Sequence, residues 1–319
     1  MKIVILDGFA SNPGDLSWDR LAKLGELTIY DRTSVEQAVE RMQGAKIVLA
    51  NKVSMDGALF WQCPELELLS VIATGYDNID IAAAKEHGVM VCNVPAYGTD
   101  SVAQHTIALL LEICSRAGLH NAGVHSGRWE AAPDYCYWDQ PLIELAGKTM
   151  GIIGFGQIGK KVAALSVALG MKVLYNSRTR YPEQETEHIK YASLNTLLAQ
   201  SDVVSLHCPL TPKTAALINS GSIAKMKDGA ILLNVARGKV IDERAVADAL
   251  DAGKLYAAGV DVLSSEPPTS DNPLLHAKNC VITPHIAWAP RESRARLVGI
   301  TCDNVEAYIS GSPQNVVNP

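Results

Sequence analysis

The sequence predicts an α/β fold of two doubly wound parallel-sheet domains. Three observations carry that prediction: short β-branched apolar runs recur along the chain, segments of helical period lie between them, and 319 residues exceed what one hydrophobic core usually serves.

In chain order, the runs at residues 2–6, 46–50, 68–73 and 89–92 read as strands buried on both faces, because each is almost continuously apolar instead of alternating. A long helical stretch follows at 101–118, and a fresh strand–turn–helix series opens at 149–153. Further strands are expected at 171–175, 202–206, 230–235, 257–260 and 280–283. Between the strands at 230–235 and 257–260 lies a helix over 242–252, where Asp242 can cap, Ala245, Val246, Ala249 and Leu250 form one face, and Gly253 stops it. The final helical pattern, 291–309, lies beyond the last strand and can return to the first unit. The expected organisation is a discontinuous first domain of residues 1–98 and 290–319 with a second domain, 99–289, inserted into it. No fixed-period repeat or low-complexity tract argues otherwise.

A formal charge of −6, with 48% hydrophobic and 19% charged residues, describes an ordinary globular chain with no cationic surplus for nucleic acid or anionic lipid. The opening MKIVILDGFA meets Asp7 before it builds a signal-peptide core, so a cytoplasmic protein without a membrane segment is expected. The seven cysteines are scattered and lack a C-x-x-C pair, so they read mostly as buried free thiols, with no metal site expected.

At the end of the strand at 149–153 stands GFGQIG, residues 154–159, opening an Ala-rich helix. In that context Gly154 permits a tight turn, Gly156 lets backbone approach a pyrophosphate, Gly159 allows close helix–strand packing, and the amides of Gln157 and Ile158 add donors at a helix N-terminus. This is the fingerprint of a Rossmann-type dinucleotide domain. An NAD-selective site usually places Asp or Glu after the next strand, about 20 residues on. Here the chain reads Tyr175, Asn176, Ser177, Arg178, Thr179, Arg180. Hydroxyl, amide and guanidinium groups in place of a carboxylate suit a 2′-phosphate, which favours NADP(H) over NAD(H). The alternative is NAD(H) held through Asn176 or Ser177, with both arginines solvated.

Three stations follow, each just past an expected strand: Arg237, Glu266 and His285. Singly, they could be a surface ion pair, a solvated acid before two prolines and a structural histidine. Jointly they answer a chemical requirement. Reducing a 2-keto acid takes a cation for the carboxylate, a proton donor for the forming alkoxide and a carboxylate that orients that donor.

These stretches, together with ATGYDNID (73–80), SVAQHT (101–106) and LHCPLT (206–211), resemble the D-isomer-specific 2-hydroxyacid dehydrogenase family over nearly the whole chain. Within it, ANKV (50–53), YWD (137–139), PLIELAGK (141–148) and HIAW (285–288) are most similar to the glycerate dehydrogenases, also called hydroxypyruvate reductases. The resemblance implies a flavodoxin-like substrate domain with an inserted Rossmann domain, acting on a small 2-keto or 2-hydroxy acid. It implies that His285 donates the proton, Glu266 holds the other ring nitrogen, and Arg237 clamps the substrate carboxylate. Backbone donors near Thr74 and Gly75 would also meet substrate, as would the ammonium of Lys52, the alternative being a solvated loop lysine, and the indole of Trp288, the alternative being aromatic core packing. Cys208, Pro209, Thr214, Val235, Ala236 and Asp261 would line the cofactor, Asp261 at the nicotinamide carboxamide. A homodimer through about residues 100–138 is implied as well, with Trp138 reaching a partner's pocket. Gln104 departs from the glutamate common in the family. Lactate or phosphoglycerate as substrate stays open, as does a dinucleotide-sensing corepressor without catalysis, which would tolerate loss of the three stations.

Overall fold

The computed structural model describes residues 1–319 and divides into two compact units. One comprises Met1–Gly98 with Trp288–Pro319, the other Thr99–Ala287. The second junction falls at 287/288, two residues before the expected 289/290, so Trp288 lies in the first unit.

The first unit is built on five parallel strands: β1 Lys2–Ile5, β2 Glu26–Ile29, β3 Ile47–Ala50, β4 Leu68–Val71 and β5 Met90–Cys92. Their order, β2-β1-β3-β4-β5, is the flavodoxin-like one. Both β3 and β4 are buried at every residue, as continuous apolar runs require of strands covered on both faces. The C-terminal segment covers the β5 edge, where Val317 N–H donates to Val91 O at 2.9 Å and Asn318 Oδ1 accepts from Val91 N–H at 2.8 Å. The helix Arg291–Ile309 packs Leu297, Val298, Cys302 and Val305 against Ile3, Ile5 and Leu49. At its start Arg294 makes a bidentate pair with Asp15, 2.7 Å to each oxygen.

The second unit carries seven parallel strands: β6 Thr149–Ile153, β7 Lys172–Asn176, β8 Ile189–Tyr191, β9 Val203–Leu206, β10 Ala230–Asn234, β11 Leu255–Val260 and β12 Cys280–Ile282. The order β12-β11-β10-β9-β6-β7-β8 reverses between β6 and β9, which is the switch point of a Rossmann sheet. Asp242 caps the helix Glu243–Asp251 by accepting from Ala245 N–H at 3.1 Å, and Val246, Ala249 and Leu250 are buried beneath it.

Two strands lie outside the sequence prediction, β2 and β8. Both are sheet edges, and their residues are exposed or half-buried, so neither shows the apolar run that marks a buried strand. The helix expected over 101–118 is two helices, Thr99–Ser115 and Ala117–His125, broken at Arg116 in a left-handed conformation with φ 49°. No helix is long and apolar enough to cross a membrane. All seven cysteines are free, with Cys136 and Cys280 half-buried and the others buried.

Candidate active site

The turn after β6 fits a dinucleotide. Gly154 has φ +96°, and a Cβ there would lie 2.5 Å from the His207 carbonyl, which follows β9 across the switch point. At Gly159 a Cβ would sit 2.2 Å from Gly154 O, so only glycine lets the helix Gln157–Ala168 start this close to the strand. Gly156 differs: a Cβ there would meet nothing within 4 Å. Its hydrogen faces open space at a helix N-terminus, where unsatisfied amides and the helix dipole favour a pyrophosphate. Burial pushes the His207 imidazole down to about 3, which keeps that ring neutral. Cys208 and Pro209 follow, and burial raises the Cys208 thiol above its ordinary range.

The loop after β7, where the sequence places the ribose, is held by its own contacts. Phe155 stacks on Tyr175 at 3.9 Å, and the Tyr175 hydroxyl accepts from Tyr181 N–H at 2.9 Å. Asn176 Nδ2 donates to Ala192 O at 2.8 Å, and the Ser177 hydroxyl donates to Thr179 O at 2.5 Å. Arg180 forms a two-point pair with Glu185, at 2.6 and 3.1 Å, so of the two guanidinium groups in this loop one is already engaged. Thr214 likewise spends its hydroxyl inside its own loop, donating to Pro209 O at 2.6 Å and accepting from Thr211 N–H at 2.7 Å.

Arg237, Glu266 and His285 all stand on loops leaving the carboxyl ends of adjacent strands, β10, β11 and β12. Asn234, fully buried at the end of β10, shapes the first loop: its Oδ1 accepts from Ala236 N–H at 3.1 Å and its Nδ2 donates to Arg237 O at 3.0 Å. Val235 and Ala236 form the bend, and the half-buried Arg237 donates to Ala236 O at 2.9 Å. Gly238 then presses on the next loop, since a Cβ there would lie 1.9 Å from the Leu263 carbonyl carbon and 2.3 Å from Ser264 N. In that second loop Glu266 Oε1 accepts from Leu263 N–H at 3.1 Å. Its Oε2 meets His285 Nδ1 at 2.6 Å. The Arg237 loop thus touches the Glu266 loop, and Glu266 holds His285.

His285 sits at φ +55°, a conformation that costs a non-glycine residue about 1–3 kcal/mol and persists only when its surroundings impose it. Asp261 imposes it. Its carbonyl accepts from His285 N–H at 2.8 Å, while its carboxylate accepts from Ile286 N–H and Ala287 N–H, both at 2.9 Å, and from the Thr283 hydroxyl at 2.6 Å. His105 closes the set, with Nε2 2.9 Å from Thr283 Oγ1 and 3.4 Å from Asp261 Oδ1. Burial would push the Asp261 carboxyl up, but the hydrogen bonds from His105, Thr283, Ala287 and Ile286 outweigh it and hold it below the ordinary range. The role the structure displays for Asp261 is to fix the turn that presents His285.

Residues 107–287 match the family described as D-isomer specific 2-hydroxyacid dehydrogenase, NAD binding domain. A hydroxypyruvate reductase of Blautia hydrogenotrophica is 54% identical, with 100% of each chain covered. This chain belongs to the D-isomer specific 2-hydroxyacid dehydrogenase family. A glycerate dehydrogenase of Methylorubrum extorquens is 42% identical over 90% of each chain. Among solved structures, the D-lactate dehydrogenase of Aquifex aeolicus, complexed with NAD and lactic acid, superposes with a TM-score of 0.88 at 30% identity, covering 100% of this chain and 99% of that one.

The first unit of this D-2-hydroxyacid dehydrogenase holds the remaining candidates. Lys52 is exposed, on a loop fixed by Asp7, whose carboxylate accepts from Asn51 N–H at 2.8 Å and Lys52 N–H at 2.6 Å. Asn78 Nδ2 supports the same loop through Val53 O at 2.9 Å. Thr74 and Gly75 follow β4, and the Thr74 hydroxyl donates inward to Val94 O at 2.7 Å, so any contribution of Thr74 to substrate is through its main chain. Trp288 is half-buried against the cluster containing Trp18, Tyr97 and Leu297, which makes packing at least part of its role. Asn234, His105 and Asp7 escaped the sequence reading. A signal existed for Asn234 and Asp7, each a lone polar residue closing an apolar strand run; none marks His105 beyond its place in SVAQHT.

Proposed function

We propose that this dehydrogenase interconverts hydroxypyruvate, or glyoxylate, with the corresponding 2-hydroxy acid, D-glycerate in the first case, using NADP(H) in preference to NAD(H). The observation that carries the reading is the 2.6 Å contact between Glu266 Oε2 and His285 Nδ1, on a loop against which the Arg237 loop is packed. With Nδ1 committed to the carboxylate, the proton to be transferred is carried on Nε2, the nitrogen that faces the keto oxygen. A bound nicotinamide supplies the hydride at the adjacent carbon. Glu266 orients the imidazole, and Arg237 offers a planar, permanently charged fork to the substrate carboxylate and polarises the carbonyl. By the family resemblance, main-chain donors at Thr74 and Gly75, with Lys52, would add to the carboxylate contacts, and Asp261 would be the residue that holds the carboxamide. In the reverse direction His285 accepts the hydroxyl proton.

The preference for NADP(H) rests on the absence of a carboxylate after β7 and on Arg178, Ser177 and Thr179 in its place. Assaying oxidation of NADPH and NADH with hydroxypyruvate, glyoxylate, pyruvate and a phosphorylated hydroxypyruvate tests substrate and cofactor together. Hydroxypyruvate should give the highest kcat/KM, and NADPH should exceed NADH by about tenfold or more, the worth of one charge-assisted contact. A clear NADH preference removes the cofactor proposal, and turnover at background for every keto acid removes the enzymatic one.

A cytoplasmic setting is part of the proposal and agrees with seven unpaired cysteines. So is a homodimer through about residues 100–138, supported by Leu119, Val124, Trp129, Tyr135 and Trp138, whose exposures run from 39% to 90% on one continuous stretch of chain. Light scattering after size exclusion should give twice the chain mass. A monomer mass at micromolar concentration would rule it out.

A further inference from the structure

The geometry points to Glu243 as a positioning residue that holds the Glu266–His285 pair in register, an inference that rests on the function proposed above. Glu243 opens the helix Glu243–Asp251 and carries none of the roles assigned so far. Its carboxylate reaches the Glu266 loop at three points. Oε1 accepts from Ser264 N–H at 2.7 Å, and Oε2 accepts from the Ser264 hydroxyl at 2.5 Å and from Asn272 Nδ2 at 3.0 Å. Asn272 is itself 7% exposed and caps the turn Pro273–Leu275 by accepting from Leu274 N–H at 3.0 Å. The loop is therefore tied at 264 and again at 272, with Glu266 between the two ties.

The tie at Ser264 matters most for chemistry. Leu263, one residue earlier, donates the amide that holds Glu266 Oε1, and it also provides the backbone against which Gly238 is pressed, next to Arg237. One carboxylate thus fixes the short segment that both holds the partner of the imidazole and abuts the guanidinium loop. Only an acceptor-only group answers three donors at once. The substitution Glu243→Gln would turn an NH2 toward Ser264 or Asn272 and lose at least one bond. A shift of about 1 Å in such a support can cost on the order of 10²-fold in rate without touching ligand affinity.

The test is a double-mutant cycle on the full-length protein, with kcat for hydroxypyruvate reduction and dinucleotide affinity measured for Glu243→Ala, Glu266→Gln and the pair. Glu243→Ala should lower kcat by about tenfold, leave the dinucleotide Kd within about twofold, and add less than about twofold in the Glu266→Gln background, because its effect passes through Glu266. Losses that multiply in full, or an unchanged kcat, overturn the inference. Should Glu243→Ala fail to fold, Ser264→Ala, which removes only the hydroxyl bond, carries the same cycle with a smaller loss in the same direction. One readout needs no turnover: the low-field NMR resonance of the His285 ring N–H bonded to Glu266, identified by its disappearance in His285→Ala. It should weaken or shift upfield in Glu243→Ala, and an unaltered resonance overturns the inference. A wild-type protein inert toward every keto acid would defeat the functional proposal and leave Glu243 to be decided by that resonance alone.

Discussion

Replacing His285 by alanine should lower kcat for keto-acid reduction by about 10²- to 10⁴-fold, the range that a positioned general acid supplies. Dinucleotide affinity should stay within about twofold, because the turn at Gly154, Gly156 and Gly159 that is proposed to receive the pyrophosphate makes no use of the imidazole. The two readouts separate chemistry from binding. The protein holds this histidine at φ +55°, with the Asp261 carboxylate accepting hydrogen bonds from the Thr283 hydroxyl and the Ile286 and Ala287 amides around it, so its presentation is fixed by its surroundings. Glu266→Gln should cost less than His285→Ala, since the donor remains and only its orientation suffers. Fluorescence titration with the reduced cofactor and stopped-flow absorbance at the nicotinamide band measure both quantities. Normal turnover in His285→Ala would remove the assigned donor.

Replacing Gly238 by alanine should be nearly as damaging for a different reason. The added Cβ would overlap the Leu263 carbonyl carbon at 1.9 Å, its oxygen at 2.1 Å and Ser264 N at 2.3 Å, all backbone atoms that cannot swing aside. Either the Arg237 loop or the Glu266 loop must move, and both outcomes shift Arg237 relative to the Glu266–His285 pair. Overpacking of this kind costs about 1–3 kcal/mol, and a unit of this size loses roughly 2–4 °C of Tm per kcal/mol. The expected signature is therefore a Tm lowered by several degrees together with a kcat loss of about 10²-fold or more. Gly156→Ala supplies the contrast. Its Cβ would meet nothing in the protein within 4 Å, so stability should hold while dinucleotide affinity falls. If Gly238→Ala kept wild-type kcat and Tm, the contact between the two loops would not support catalysis.

Much of this architecture is legible in the residue order, and where it is not the cause is physical. Strands buried on both faces, such as β3, β9 and β10, announce themselves as apolar runs, and the glycine turn does so through its spacing. The edge strands β2 and β8 do not, because exposed residues such as Glu26 and Lys190 satisfy an edge without an apolar pattern. The break at Arg116 is equally silent, since an arginine in the left-handed region is imposed by tertiary contacts and not by local preference. Arg237, Glu266 and His285 stood out as chemistry-bearing residues after strands. Their supports did not: the engagement of Arg180 by Glu185, the clamp of Asp261 on residues 283–287 and the reach of Glu243 to Ser264 and Asn272 join positions whose pairing no sequence pattern specifies.

The central claim is that Arg237, Glu266 and His285 surround one carbon of a bound 2-keto acid. A crystal structure of the protein with oxidised dinucleotide and oxamate, an unreactive 2-keto acid mimic, tests it most directly. The oxamate carboxylate should lie on the Arg237 guanidinium, with its neighbouring carbonyl oxygen about 2.6–3.2 Å from His285 Nε2 and the Glu266–Nδ1 bond intact. Oxamate bound away from His285, or an imidazole turned from it with Glu266 detached, would contradict the account.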